Sequence, residues 1–198
     1  MEERTFISYI LERQHHIQGS FKKDTPNKKY GRPWEIRLQE KDFKSWIQRN
    51  NCNSLFFDGA SKSNPGIAGA GGLILNENGE HILSYEWSLG KVTNNSVEAL
   101  ALYQGLIQLC SLGIKRAKVF GDSSIIIRLM IHHQNSPNTM LQQVILRNWL
   151  LLQNFEEIQF FHVLRNLNKE ADERANKACG MQVGTLRCNS SEVNQPIP

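Results

Sequence analysis

Long hydrophobic runs are absent from this 198-residue sequence. No stretch approaches the roughly 18 consecutive apolar residues that a membrane-spanning helix needs. The first six residues, Met1–Phe6, also lack the basic-then-apolar pattern of a secretory signal. We therefore expect an intracellular protein, cytoplasmic or nuclear, that does not associate with a membrane.

Cysteine is scarce, and its spacing argues against a thiolate metal centre. The chain contains Cys52, Cys110, Cys179 and Cys188. No two of them form a CxxC pair, so a zinc site is not expected. We interpret the four as reduced, mostly buried thiols without a catalytic role.

A strong surplus of either charge is also missing. The chain has 23 basic and 19 acidic residues, for a formal net charge of +4, which is too small a surplus to indicate nucleic-acid binding by itself. Residues 22–50, however, hold nine basic residues against four acidic ones. This stretch has two equally good interpretations: it adds non-specific affinity for phosphate, or it is a solvated linker.

Composition and periodicity divide the chain into three segments. Residues 1–50 form a basic extension with apolar residues at helical spacing over 5–17 and 40–49. Residues 51–180 show regular apolar patterns, whereas residues 181–198 are rich in Ser, Asn and Pro. We predict one folded domain between a partly helical N-terminal extension or linker and a flexible C-terminal tail.

Within residues 51–180 the apolar patterns predict the element order β-β-β-α-β-α-α-β-α. The second and third strands flank Asn78-Gly79, a strong hairpin turn, so the first three strands should form an antiparallel meander. Each later strand follows a helix and should join the sheet in parallel. The expected fold is α/β, with a five-stranded mixed sheet and helices on both faces.

Four acids occupy the ends of predicted elements. Asp58 and Asp122 end strands, Glu98 lies in the first turn of a long helix, and Asp172 lies near the start of the last helix. One such acid alone is more often a cap or turn residue, but side chains at neighbouring strand ends enter one crevice. Carboxylates crowded together raise one another's pKa unless a cation is present. Because magnesium prefers oxygen ligands, the four acids together predict a magnesium site.

Four motifs resemble those of the ribonuclease H family. Their positions are Phe57–Gly66 (FDGASKSNPG), Thr93–Ala99 (TNNSVEA), Gly121–Ser123 (GDS) and His162–Asp172 (HVLRNLNKEAD). They follow the family's order over about residues 54–180. The most similar form is the short type found in plants, archaea and the reverse-transcribing elements of plant genomes.

The resemblance implies a ribonuclease H-like fold and an endonuclease that cuts the RNA strand of RNA–DNA hybrids with two Mg²⁺ ions, for which Mn²⁺ can substitute. The implied metal ligands are Asp58, Glu98, Asp122 and Asp172. Asp58 would be shared by both ions. His162 would assist product release.

The resemblance also implies substrate contacts. The positions concerned are Gly59, Asn64, Asn94, Asn95 and Ser123. The two asparagines at 94 and 95 would read the minor groove, where the 2′-hydroxyl distinguishes RNA from DNA, and Gly59 would let the backbone approach the nucleic acid. We expect a monomer, and a polyprotein containing a reverse transcriptase is a candidate partner.

Three departures from the family keep alternatives open. Only 50 positions separate Asp122 from Asp172 (172 − 122), which leaves no room for the basic handle of the bacterial form. Ser96 replaces an Arg of some relatives, and Arg174 stands where an apolar residue is usual, which is costly in a core unless paired. The alternatives are a non-catalytic nucleic-acid-binding or connection-type domain derived from a mobile element, and a different nuclease chemistry such as strand transfer or junction cleavage.

Overall fold

The computed structural model of the protein describes residues 34–63 and 65–190. Its strands are β1 (Glu35–Ile36), β2 (Asn53–Ser61), β3 (Gly66–Leu75), β4 (His81–Val92), β5 (Arg116–Gly121), β6 (Glu157–Val163) and β7 (Leu186–Ser190). Its helices are α1 (Glu40–Arg49), α2 (Asn94–Ser111), α3 (Ser124–His132), α4 (Thr139–Leu152) and α5 (Lys169–Ala178), and a 3₁₀ turn at Arg165–Leu167 precedes α5. None of the helices in this part of the chain has the length and apolar character needed to cross a membrane.

The strands form one mixed sheet in the order β1-β6-β5-β2-β3-β4-β7. Strands β2, β3 and β4 make the predicted antiparallel meander. Strand β5 pairs in parallel with β2, and β6 pairs in parallel with β5. The turn between β3 and β4 places Gly79 at a positive φ of 80°, a conformation that glycine adopts without strain. The predicted mixed α/β architecture is thus confirmed.

The sheet has seven strands, and the prediction of five was wrong in this detail. The additional strands lie at the two edges, where β1 pairs in parallel with β6 and β7 pairs antiparallel with β4. Neither has a strand-like apolar pattern, because β1 has two residues and β7 reads Leu-Arg-Cys-Asn-Ser. Both lie outside residues 51–180, a boundary that stays a prediction.

Alternate residues along the strands pack against helices on opposite faces of the sheet. Leu55 and Val119 belong to a core formed with α2, α3 and α4. Phe56 and Phe120 belong to a second core formed with α1 and α5. Helices therefore cover both faces, as predicted.

Helix α1 packs against the face of the sheet that forms the second core. The ring centroids of Trp46 and Phe161 are 5.8 Å apart, and Lys118 Nζ lies 5.0 Å from the centroid of the Trp46 ring. The same ammonium group donates to Asn50 Oδ1 at 2.8 Å. A buried lysine is costly without partners, so these contacts both satisfy Lys118 and tie α1 to the sheet.

Arg174 has a partner. Its Nη1 lies 3.8 Å from Glu86 Oε1 on β4, and both side chains are mostly buried. Space for Arg174 comes from Gly71 on β3, where a Cβ would lie 2.7 Å from Arg174 Cβ. The unusual residue is therefore accommodated by an ion pair between α5 and β4.

Candidate active site

Three of the four predicted carboxylates meet at one place. Parallel pairing sets Phe56 of β2 opposite Phe120 of β5, so Asp58 and Asp122, each two residues further on, come side by side. Glu98 joins them from the first turn of α2. One carboxylate oxygen from each acid lies within 4.8 Å of the others.

A glycine brings Glu98 close to β2. A Cβ at Gly59 would lie 2.5 Å from the Glu98 backbone nitrogen and 2.7 Å from the Val97 carbonyl carbon. Because such distances exclude a side chain, Gly59 permits α2 to begin directly against the strand. This is a structural reason for glycine at 59, and its predicted role as a substrate contact stays a prediction.

The clustered acids are poorly solvated and repel one another. Asp58 is 4% exposed, and burial, followed by the charge of Asp122, raises the pKa of Asp58 to about 7. Burial also raises the pKa of Glu98 well above its usual value, and the charges of Asp58 and Asp122 add to this effect. Asp58 is therefore only partly ionised at neutral pH, and a bound cation would favour the charged forms of both Asp58 and Glu98.

The donor set fits a divalent cation. Glu98 Oε2 is buried and has no hydrogen-bond partner among the described residues, although buried polar atoms are nearly always satisfied. The three carboxylates offer only oxygen ligands, which suit a hard cation. Such an ion would satisfy Glu98 Oε2 and offset the repulsion between the acids.

Asp172 lies next to this group, outside the set of three. Its charge contributes to the raised pKa of Asp58. Its Oδ1 accepts a hydrogen bond from Arg165 Nη2 at 2.9 Å, and its side chain is 28% exposed. Arg165, on the 3₁₀ turn, therefore holds Asp172 at the solvent side of the site.

Sequence reasoning missed Asn168, which links three parts of the site. Asn168 is fully buried, and its Nδ2 donates to Asp122 Oδ1 at 3.2 Å and to the Phe57 carbonyl at 3.0 Å. It stands at the N-cap position of α5, where asparagine commonly binds its own helix, but its side chain makes no capping bond. The signal available in the sequence was an asparagine at a helix-capping position, four residues before Asp172.

The remaining predicted residues lie on β6, before α3 and at the start of α2. His162 lies near the end of β6, with Nε2 3.1 Å from the Asp122 main-chain oxygen, and Ser123 is the N-cap of α3. Asn94 and Asn95, at the start of α2, line a cavity of about 460 Å³ together with the loop 135–138. The remaining predicted contact, at position 64, lies outside the described residues.

Residues 56–178 match the family described as reverse transcriptase-like. This chain belongs to that family. Ribonuclease HI of Halobacterium salinarum is 30% identical over 123 residues, which cover 62% of each protein. A bifunctional protein of Mycobacterium tuberculosis is 30% identical over 122 residues, covering 61% of this chain and 34% of that protein.

Solved structures agree with this relationship. RNase H1 of H. salinarum superposes with a TM-score of 0.63 at 29% identity, covering 65% of this chain and 97% of that one. A metagenomic RNase H1 bound to an RNA/DNA hybrid superposes with a TM-score of 0.61 at 28% identity, covering 65% of this chain and 96% of that one. The resemblance to the ribonuclease H family is therefore confirmed. The chain spans about three fifths of the length of the archaeal relative and about a third of the mycobacterial one.

Proposed function

We propose that this ribonuclease H-family protein hydrolyses the RNA strand of RNA–DNA hybrids. The observation that carries the proposal is the meeting of Asp58, Glu98 and Asp122 within 4.8 Å. Two findings about similar proteins support it: an archaeal relative is named ribonuclease HI, and a structural neighbour was solved with a hybrid bound.

The proposed cofactor is a pair of Mg²⁺ ions, with Mn²⁺ as a substitute. Their ligands would be Asp58, Glu98, Asp122 and Asp172, with Asp58 shared. Bound ions of this kind activate a water and stabilise the leaving 3′ oxygen of an in-line displacement. The protein orients the ligands: Asn168 holds Asp122 by its 3.2 Å hydrogen bond, and Arg165 holds Asp172.

The proposed substrate surface begins at the N-terminus of α2. The cavity beside it is lined by Thr93–Ser96 and Asn135–Asn138, and neither stretch contains a carboxylate side chain. Amide and hydroxyl groups can donate to phosphates and accept from or donate to 2′-hydroxyls. We further propose that Gly59, Asn64 and Ser123 contact the hybrid.

Three proposals concern the protein's setting. We propose that the protein acts as a monomer, in the cytoplasm or nucleus. We also propose that a polyprotein containing a reverse transcriptase is a partner. None of the three is needed for the chemistry at the carboxylates.

The test compares a labelled RNA–DNA hybrid with double-stranded and branched DNA, with and without Mg²⁺. We expect Mg²⁺-dependent cleavage of the RNA strand only, abolished by Asp122→Asn. Asp42→Asn is the matched control, because Asp42 is an exposed acid on α1 and its loss should leave cleavage unchanged. Binding of the hybrid by folded protein without cleavage in Mg²⁺ or Mn²⁺ would favour the non-catalytic alternative, and cleavage of branched DNA would favour a different nuclease chemistry.

A further inference from the structure

The first described strand lies against the predicted catalytic histidine. In the parallel pair of β1 and β6, Glu35 is opposite His162. The His162 backbone N–H donates to the Trp34 carbonyl at 2.8 Å. The match to the family begins at residue 56, so these contacts come from a segment outside it.

The Trp34 side chain reaches the same histidine. The indole is only 5% exposed, and its ring centroid lies 6.4 Å from the His162 ring at an interplanar angle of 78°. A second edge contact, at 6.3 Å and 75°, joins Trp34 to His132 at the end of α3. The indole therefore sits between two histidines in the edge-to-face geometry that aromatic rings prefer.

His162 is consequently held on both sides. Its Nε2 lies 3.1 Å from the Asp122 main-chain oxygen. On the other side, the Trp34 ring makes an edge contact with the imidazole, and the Trp34 carbonyl accepts a hydrogen bond from the His162 backbone N–H. Only χ1 and χ2 rotations could move the imidazole, and a buried neighbouring ring restricts both.

We propose that Trp34 is a positioning residue for His162, and that β1 is thereby part of the active-site structure. The inference rests on the proposed function, because the role of His162 in hybrid cleavage belongs to it. Trp34 fixes the imidazole beside Asp122, so a protein that lacks the indole should fold with a mobile His162 ring.

The experiment uses the full chain and a matched tryptophan. Trp46 is also nearly buried in the N-terminal segment, but it contacts Phe43, Phe120 and Phe161 and makes no ring contact with His162. We expect Trp34→Leu to lower kcat roughly 3- to 10-fold, with KM for the hybrid unchanged. This factor corresponds to the free energy of about one edge-to-face aromatic contact. Trp34→Phe should restore most of kcat, and Trp46→Leu should lower stability with kcat retained.

A double-mutant cycle separates positioning from general loss of structure. In the His162→Ala background, Trp34→Leu should cause no further loss of kcat, because the residue it positions is gone. Losses that multiply in the double variant would overturn the inference.

NMR relaxation of histidine side chains tests the inference without cleavage. Trp34→Leu should broaden the His162 ring signals by conformational exchange, and Trp46→Leu should not. A His162 ring as rigid in Trp34→Leu as in the unmodified protein would overturn the inference. If the protein cleaves no hybrid at all, the proposed function fails, and the relaxation measurement still decides whether Trp34 holds His162.

Discussion

At the scale of single residues, Asn168 orients the Asp122 carboxylate by donating a hydrogen bond to its Oδ1. We expect Asn168→Ala to lower kcat about 10-fold and stability by about 1–3 kcal/mol, because it removes a hydrogen-bond donor from the buried Phe57 carbonyl. Hybrid cleavage and denaturant unfolding measure the two effects.

Asn148 provides a matched control for this change. It is also fully buried, and its Nδ2 donates to the Ala99 carbonyl at 3.1 Å, with no bond to a carboxylate. Asn148→Ala should lower stability by a similar amount and largely retain kcat. Equal losses of kcat in the two variants would argue against a specific role for Asn168.

The difference between Asn168 and the acids shows what a sequence can predict at this scale. Asp58 and Asp122 could be predicted as neighbours, because each follows an apolar run and parallel pairing brings the two runs side by side. The prediction that Asp58 ends its strand was wrong, since β2 continues to Ser61. The partner of Asn168 on β2 is the Phe57 carbonyl, 111 positions away. No local pattern indicates a bond to a particular carbonyl, so this contact becomes visible only in the folded chain.

At the scale of elements, the contact between β2 and α2 sets the position of Glu98. We expect Gly59→Ala to force the start of α2 away from the strand, since the added Cβ would lie 2.5 Å from the Glu98 nitrogen. Stability should fall by about 1–3 kcal/mol, and Mg²⁺ should bind more weakly. Thermal unfolding and calorimetric titration with Mg²⁺ measure these effects.

Gly180→Ala is the control for the added methyl group. A Cβ at Gly180 would meet only the Lys177 oxygen, at 3.4 Å, so stability and Mg²⁺ binding should remain unchanged. Unaltered Mg²⁺ binding by Gly59→Ala would show that the position of Glu98 in the site does not depend on glycine at residue 59.

Elements differ in how far the sequence reveals them. Helix α1 was predictable because Phe43, Trp46 and Ile47 share one side at helical spacing, and the structure buries all three. Strands β1 and β7 were not predictable, because neither has a strand-like apolar pattern. Both are held at the sheet edges by main-chain pairing with β6 and β4. Edge strands therefore extend the fold beyond the patterned region.

At the scale of the whole molecule, the buried acids link stability to pH. The pKa of Asp58 is raised to about 7 in the folded protein, from 3.8, so the folded state binds more protons than the unfolded state between these values. Stability without metal must then fall as pH rises through this window, because linkage ties the slope to the difference in bound protons. The full effect is on the order of a few kcal/mol, and Glu98, whose pKa is also raised, acts in the same direction.

We therefore expect the melting temperature in EDTA to decrease from pH 5 to pH 8, and Mg²⁺ to raise it more at pH 8, where the carboxylates are free to bind. Asp58→Asn removes one of the titrating acids and should flatten the decrease, whereas Asp42→Asn, on the exposed side of α1, should retain it. Thermal unfolding at the two pH values, with EDTA or Mg²⁺, measures all of these changes. Equal slopes in the two variants would mean that the repulsion at Asp58 is relieved within the protein itself, and that the carboxylate cluster does not depend on a cation for its stability at neutral pH.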